Sequence, residues 1–119
     1  MELKNYEMFN HLLNLQKVSS KVTGKLGYAV SRNIRKIQQE VIEFEKIRNE
    51  LVVKFGEKQE NGDFVISKDS DGYTEFVNTI QEYGTISHNV EIFTVLPDEV
   101  CESNLTAEEM LLLDFMINE

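Results

Sequence analysis

The only imidazoles in this chain are His11 and His88, and the only thiol is Cys101. A zinc site needs such ligands at short, paired spacing, and these three are scattered. A thiol nucleophile would need His88 as its base, yet nothing in the spacing links it to Cys101; an inert structural thiol near the start of the final helical segment is the plainer reading. The stretch Ser67-Lys68-Asp69-Ser70-Asp71-Gly72 resembles a calcium loop at first sight. Aligning Gly72 with the loop glycine puts Ser67 at the first ligand and Asn78 at the last, where Asp and a bidentate Glu are required. A helix N-cap explains these residues better. Gly24-Lys25-Leu26-Gly27 lacks the phosphate-loop spacing and follows no strand, so close helix packing accounts for its glycines. Carboxylates are abundant, but nothing pairs two of them across a cleft, and hydrolysis has no specific support. No catalytic residue, cofactor or metal ligand is therefore expected.

Charge is the stronger signal. All 12 Lys and Arg fall within residues 1–68, and the formal net charge of −9 divides into +3 there and −12 over residues 69–119. Residues 8–39 contain no acid and carry Lys17, Lys21, Lys25, Arg32, Arg35 and Lys36. This window is the candidate basic patch: it could contact phosphates, with Tyr28 stacking on a base. The competing reading is a solvated helix face neutralised by the acidic half, whose field reaches about 8–10 Å. Glu91, Asp98, Glu99, Glu102, Glu108 and Glu109 form the candidate acidic interface, with no Lys or Arg near them in sequence. Such an array can imitate nucleic-acid phosphates and engage a basic protein, or serve only solubility and internal charge balance.

The elements that position these residues read as follows. Residues 4–17 suggest a helix, with Phe9, Leu12, Leu13 and Gln16 on one face and Met8 and Leu15 broadening it. Ser19 or Ser20 can cap the next segment. Val30, Ile34, Ile37, Val41, Phe44, Arg48, Leu51 and Phe55 alternate in steps of four and three, which predicts a long helix over 20–55. Gly56 would end it as a left-handed cap. Unbroken, that helix would be about 54 Å long at roughly 1.5 Å per residue. A compact chain of this size has a radius of gyration of only about 13–14 Å. The helix must kink at Gly24 or Gly27, project, or meet a second molecule. Its apolar seam serves either as intramolecular core or as a two-chain helical contact. Arg48 breaks the seam and could bond an acid of the C-terminal half.

After the turn Glu60-Asn61-Gly62-Asp63, a strand is expected near 63–67, then a helix over 71–83 capped from Asp69-Ser70-Asp71. A period-two run over 86–95 predicts a second strand in the same small sheet, stopping before Pro97. Thr106-Ala107-Glu108-Glu109 is a capping-box pattern opening a final helix over 106–117, stapled by Leu105 and Met110. Phe44, Leu51, Phe76, Ile80, Leu112 and Phe115 are the expected shared core. The fold class is α+β, mainly helical: one domain over 1–119, with a long central helix, shorter helices and a small two-stranded sheet or hairpin.

The opening MELKN, the central KLGYAVSRNIRKIQQEVIEFEKIRNELVVKFGEKQENGDFVIS and the closing NLTAEEMLLLDFMI resemble a small family of proteins of unknown function carried by phages and prophages of Gram-positive bacteria. The resemblance covers nearly the whole chain. It implies a mobile-element origin and transfers no active site.

The start MELKNYEMF lacks a signal-peptide core, and the longest apolar run, Met110 to Leu113, is too short to span a membrane. These features lead to an expectation of a non-enzymatic accessory protein in the cytoplasm of a bacterial host. It would bind a protein with a basic surface through its acidic half and inhibit a host factor. The alternatives are a self-associating structural or assembly component that uses the helical seam, and a nucleic-acid binder that uses residues 17–36.

Overall fold

The computed structural model describes residues 1–69 and 71–118 and is organised around one long helix. Helix α1 (Asn5–Val18) buries Met8, Leu12, Leu15 and Val18, four residues in steps of four and three. Its first amide end is closed by Glu7, whose Oε1 accepts from the Lys4 amide at 3.0 Å. The buried stripe is rotated from the expected one: Leu13 and Gln16 face solvent, and Phe9 is half-buried. Asn5, Met8, Leu12 and Leu15 are the better-phased set, and Asn5 can be buried because its amide side chain donates to the Tyr83 carbonyl.

Helix α2 spans Gly24–Phe55, 32 residues, and begins later than expected. Ser19 and Ser20 lie in the preceding turn; Thr23 is the N-cap residue and makes no side-chain cap. Gly24 has φ +64°, a left-handed conformation that suits glycine at this sharp entry. The helix runs as one element from Gly24, and Gly27 lets the Val22 carbonyl approach to where a Cβ would lie 3.0 Å away. Gly56 closes the far end with φ −86°, not left-handed, and is needed because a Cβ would strike the carbonyls of Val52 and Val65.

The seam of α2 is mostly intramolecular core. Leu26, Ala29, Val30, Asn33, Ile37, Val41 and Phe44 are buried against α1 and the C-terminal segments. Asn33 is fully buried at the N-terminal half, and Ile34 packs against the core from its margin. Among the described residues Arg48 meets no acid; its guanidinium stands 5.3 Å from the centre of the Phe9 ring.

Beyond Phe44 no residue of α2 is buried, and the helix projects. The molecule measures 50 × 32 × 21 Å with a radius of gyration of 17.0 Å, well above the value for a compact chain. A hairpin of β2 (Glu57–Lys58) and β3 (Phe64–Val65) follows, turning through Gly62, where φ is +91°. Helix α3 (Tyr73–Gly84) then folds back on α2. Its N-cap residue is Gly72, without a side-chain cap; Ser70, one of the expected caps, lies outside the described residues. The Phe55 ring occupies the space a Cβ at Gly72 would need. Leu51, Phe55 and Phe76 are only half-buried here, so the expected single core does not extend to this end.

The two predicted strands do not share a sheet. The hairpin stands alone, and β4 (Ser87–Asn89) pairs antiparallel with β1 (Glu2–Lys4), with Leu3 opposite His88. The run over 86–95 shortens to β4 because, among the described residues, no strand lies beside its second half. There, side-chain and C-terminal groups take the partners' place. Val95 bridges in parallel to Ile117. Helix α4 (Pro97–Cys101) was not expected; Pro97 opens it, where a missing amide costs nothing. The final helix is also shorter. After the Thr106 cap, α5 covers only Ala107–Leu111, and a 3-10 turn follows over Asp114–Met116. Shortening places Leu113 and Met116 in the core, whereas Leu112 and Phe115 pack at its margin and Leu111 is 73% exposed. Among the described residues, no helix is long and apolar enough to cross a membrane.

Candidate protein interface

The sorted charges meet in space. Helix α4 packs against the start of α2, so the first lysines of the basic window face the acids of the C-terminal half. Lys21 Nζ lies 2.6 Å from Glu109 Oε2, an ion pair that joins the turn before α2 to α5. Glu109 also accepts from the Thr106 amide through Oε1 at 3.0 Å, completing the predicted capping box. The Lys21 bond, then the Thr106 amide, hold the Glu109 carboxyl below the usual carboxylate range. Lys25, Glu99 and Glu102 line, with Lys21, a cleft of about 310 Å³. Lys36 donates to the Glu91 carbonyl at 3.0 Å.

The candidate residues therefore divide. Lys21, Lys25 and Lys36 lie beside acids or carbonyls of the C-terminal half, and Glu109 has a cation after all. Lys17 and Arg35 are exposed, and Arg32 is half-buried. Glu91, Asp98, Glu102 and Glu108 are exposed, and Glu99 is half-buried between the cleft and a second groove.

That second groove, about 410 Å³, is lined chiefly by Lys25, Tyr28, Phe93, Leu96 and Glu99. Three of its side chains are large, apolar and open to solvent: Tyr28 is 57% exposed, Phe93 42% and Leu96 56%. Phe93 meets the Tyr28 ring edge-on, with centroids 5.5 Å apart. Such grouping of aromatic and aliphatic side chains, rimmed by charge, is the surface chemistry of protein recognition.

Asn33 builds this groove from below. It is fully buried. Its Nδ2 donates to the Phe93 carbonyl at 2.9 Å, and its Oδ1 accepts from the Phe93 amide at 2.8 Å. The side-chain amide thus stands in for a neighbouring strand and holds the Phe93 backbone extended. Sequence reading singled out Tyr28 but missed Phe93, Leu96 and Asn33. Two signals existed: Phe93 lay on the off-face of the period-two run, and Leu96 stood directly before Pro97.

The histidines and the cysteine stay apart. His11 stacks on Phe115, with ring centres 3.9 Å apart and planes within 17°. Burial holds its pKa below the ordinary histidine value, against a smaller opposite effect of Glu7. His88 Nδ1 faces Glu40 Oε2 at 3.9 Å. Cys101 ends α4 and is exposed. Among the described residues, no three His, Cys, Asp or Glu side chains gather as a metal site. In comparisons with known proteins, no family model, no curated protein and no solved structure matches the chain.

Proposed function

We propose that this chain is a non-enzymatic accessory protein of a phage or related mobile element. It acts in the cytoplasm of its bacterial host by binding a protein with a basic surface, and inhibits that protein by covering it. The observation that carries this reading is the groove of Tyr28, Phe93 and Leu96, bordered by Glu99, with Asp98 exposed next to it on α4. Apolar anchors supply affinity, and the acidic rim supplies charge complementarity and a faster encounter.

The nucleic-acid alternative has less support. Three of its six basic residues lie against acids or carbonyls of the same chain, and the surrounding charge repels a polyanion. The test is affinity capture from host lysate with the wild type and with a Tyr28→Ala, Phe93→Ala, Leu96→Ala variant. A specific protein retained by the wild type and lost by the variant is the expected result. Salt-sensitive retention of DNA or RNA that survives the triple change and disappears with Lys25→Ala, Arg32→Ala and Arg35→Ala overturns it.

A further inference from the structure

A different cleft, about 370 Å³, lies farther along α2. From Tyr28 to Phe44 the helix advances about 24 Å at roughly 1.5 Å per residue, so this cleft is separate from the groove of Phe93. Phe44 and Ile47 line it from α2, and Tyr83 and Ile86 line it from the end of α3 and the turn that follows. Tyr83 and Ile86 are both open to solvent. Glu40 and Glu43 add two exposed carboxylates, three residues apart and so on one face of α2. Among the described residues, the lining holds no Lys or Arg, and neither carboxylate pairs with one. The Lys36 ammonium, in the adjoining groove, is engaged with the Glu91 carbonyl. Asn5 completes the lining. It is only 6% exposed and is held twice: its backbone amide donates to the Ile86 carbonyl at 3.0 Å, and its Nδ2 donates to the Tyr83 carbonyl at 2.8 Å. The second bond identifies Oδ1 as the other side-chain atom, because a flipped amide would set oxygen against oxygen. Among the described residues, nothing donates to Oδ1. A buried acceptor without a donor is unfavourable until something completes it.

The geometry points to this cleft as a binding site for a small organic amine: a primary ammonium carried on an apolar, preferably aromatic, body. An ammonium has three donors and no acceptor, which matches a lining of two carboxylates and an amide oxygen that lacks a donor. Glu40 and Glu43 draw the charge in, and the Tyr83 ring adds a face on which a cation can rest. The apolar body packs among Phe44, Ile47 and Ile86. A cleft of this volume, mostly apolar with a few convergent polar groups, is of the size that takes a small molecule. The same carboxylates repel an anion. An alcohol of equal shape brings one donor and leaves the carboxylates without a counter-charge. A lysine side chain carries the same ammonium but lacks the ring that Tyr83 and Phe44 favour. This site is independent of the protein-binding groove.

The probe is 2-phenylethylamine, titrated into the full chain and followed by amide NMR. The controls are 2-phenylethanol, 3-phenylpropionate and a short blocked glycine–lysine–glycine peptide, which presents the ammonium as a protein would. The amine should give saturable shifts at Tyr83, Ile86 and the α2 residues around Glu43, with a Kd of about 1 mM or below, as suits so small a ligand. It should outbind each control by about tenfold. Glu40→Gln with Glu43→Gln changes two exposed residues, leaves the fold intact, and should weaken the amine by about tenfold without affecting 2-phenylethanol. Asn5→Ala should weaken it by about fivefold or more; if that variant does not fold, the double glutamine variant decides. The Tyr28, Phe93, Leu96 variant should bind the amine as the wild type does. Absence of saturable shifts up to about 10 mM overturns the assignment. So does equal binding of 2-phenylethanol, unchanged affinity in the double glutamine variant, or tighter binding of the lysine peptide.

Discussion

Asn33 and Phe93 are joined by a two-way clasp: a side-chain amide on α2 donates to the carbonyl and accepts from the amide of one residue 60 positions later. The same Nδ2 lies 3.5 Å from the Met116 sulfur, which draws the C-terminal turn into the junction. Asn33→Ala leaves two backbone groups without partners and opens space in a fully buried position. A loss of about 2–5 kcal/mol in denaturant unfolding is expected, since each stranded polar group costs about 1–3 kcal/mol. A change within about 0.5 kcal/mol, the range of ordinary surface substitutions, would show that the clasp contributes little.

Gly72 is expected to resist any side chain. A Cβ there collides with the Phe55 ring, so Gly72→Ala should destabilise by about 1–3 kcal/mol through overpacking. Shrinking the neighbour should relieve the clash. A double-mutant cycle with Phe55→Ala should show a coupling of about 1 kcal/mol or more, and strict additivity would mean the two do not oppose one another.

Stability should fall on mild acidification, and His11 should account for part of it. Burial against Phe115 lowers its folded-state pKa, so the unfolded chain binds the proton more readily. The contribution is present above the unfolded-state value and is lost as pH drops through the folded one. Unfolding followed from about pH 7 to about pH 5 should show a declining stability that flattens in His11→Phe, which keeps the ring stack. An unchanged slope in that variant would remove His11 from the account.

Neutralising the acids of α4 should alter encounter more than fold. Asp98→Asn, Glu99→Gln and Glu102→Gln together are expected to slow association with the captured partner and flatten its salt dependence. Glu109 is deliberately left intact because it caps α5 and holds Lys21. Unchanged association kinetics across a salt series would mean that these carboxylates serve solubility alone.

Local patterns carried most of what could be read in advance. The end of α2 and the Thr106 cap were legible because periodicity and capping act within a few residues. β1 was not. Glu2-Leu3-Lys4 contains a single apolar residue, and its partner lies more than 80 positions away. The strand over 86–95 was overextended because Asn33 and the 116–118 segment substitute for the neighbour that a period-two pattern implies. The final helix was overextended because an apolar run on all sides gives no phase. The core decided that Leu113 and Met116 should be buried, and a tighter turn achieved it. The acidic interface was legible as composition. Its partial neutralisation by Lys21 was not, since that bond spans 88 positions.

The pairing of Met1 with Val90 also dictates an order of events during synthesis. Residues 1–4 must wait until residues 87–90 are made before β1 can exist. At roughly 5–20 residues per second, that interval is about 4–18 s. Helix α1 and the first half of α2 can associate within that time, because only a short turn separates them. The β1–β4 pairing and the Asn33–Phe93 clasp are completed together, late in the chain. A nascent chain stalled before residue 90 should thus hold a helical hairpin whose Asn33 has not yet found the Phe93 backbone.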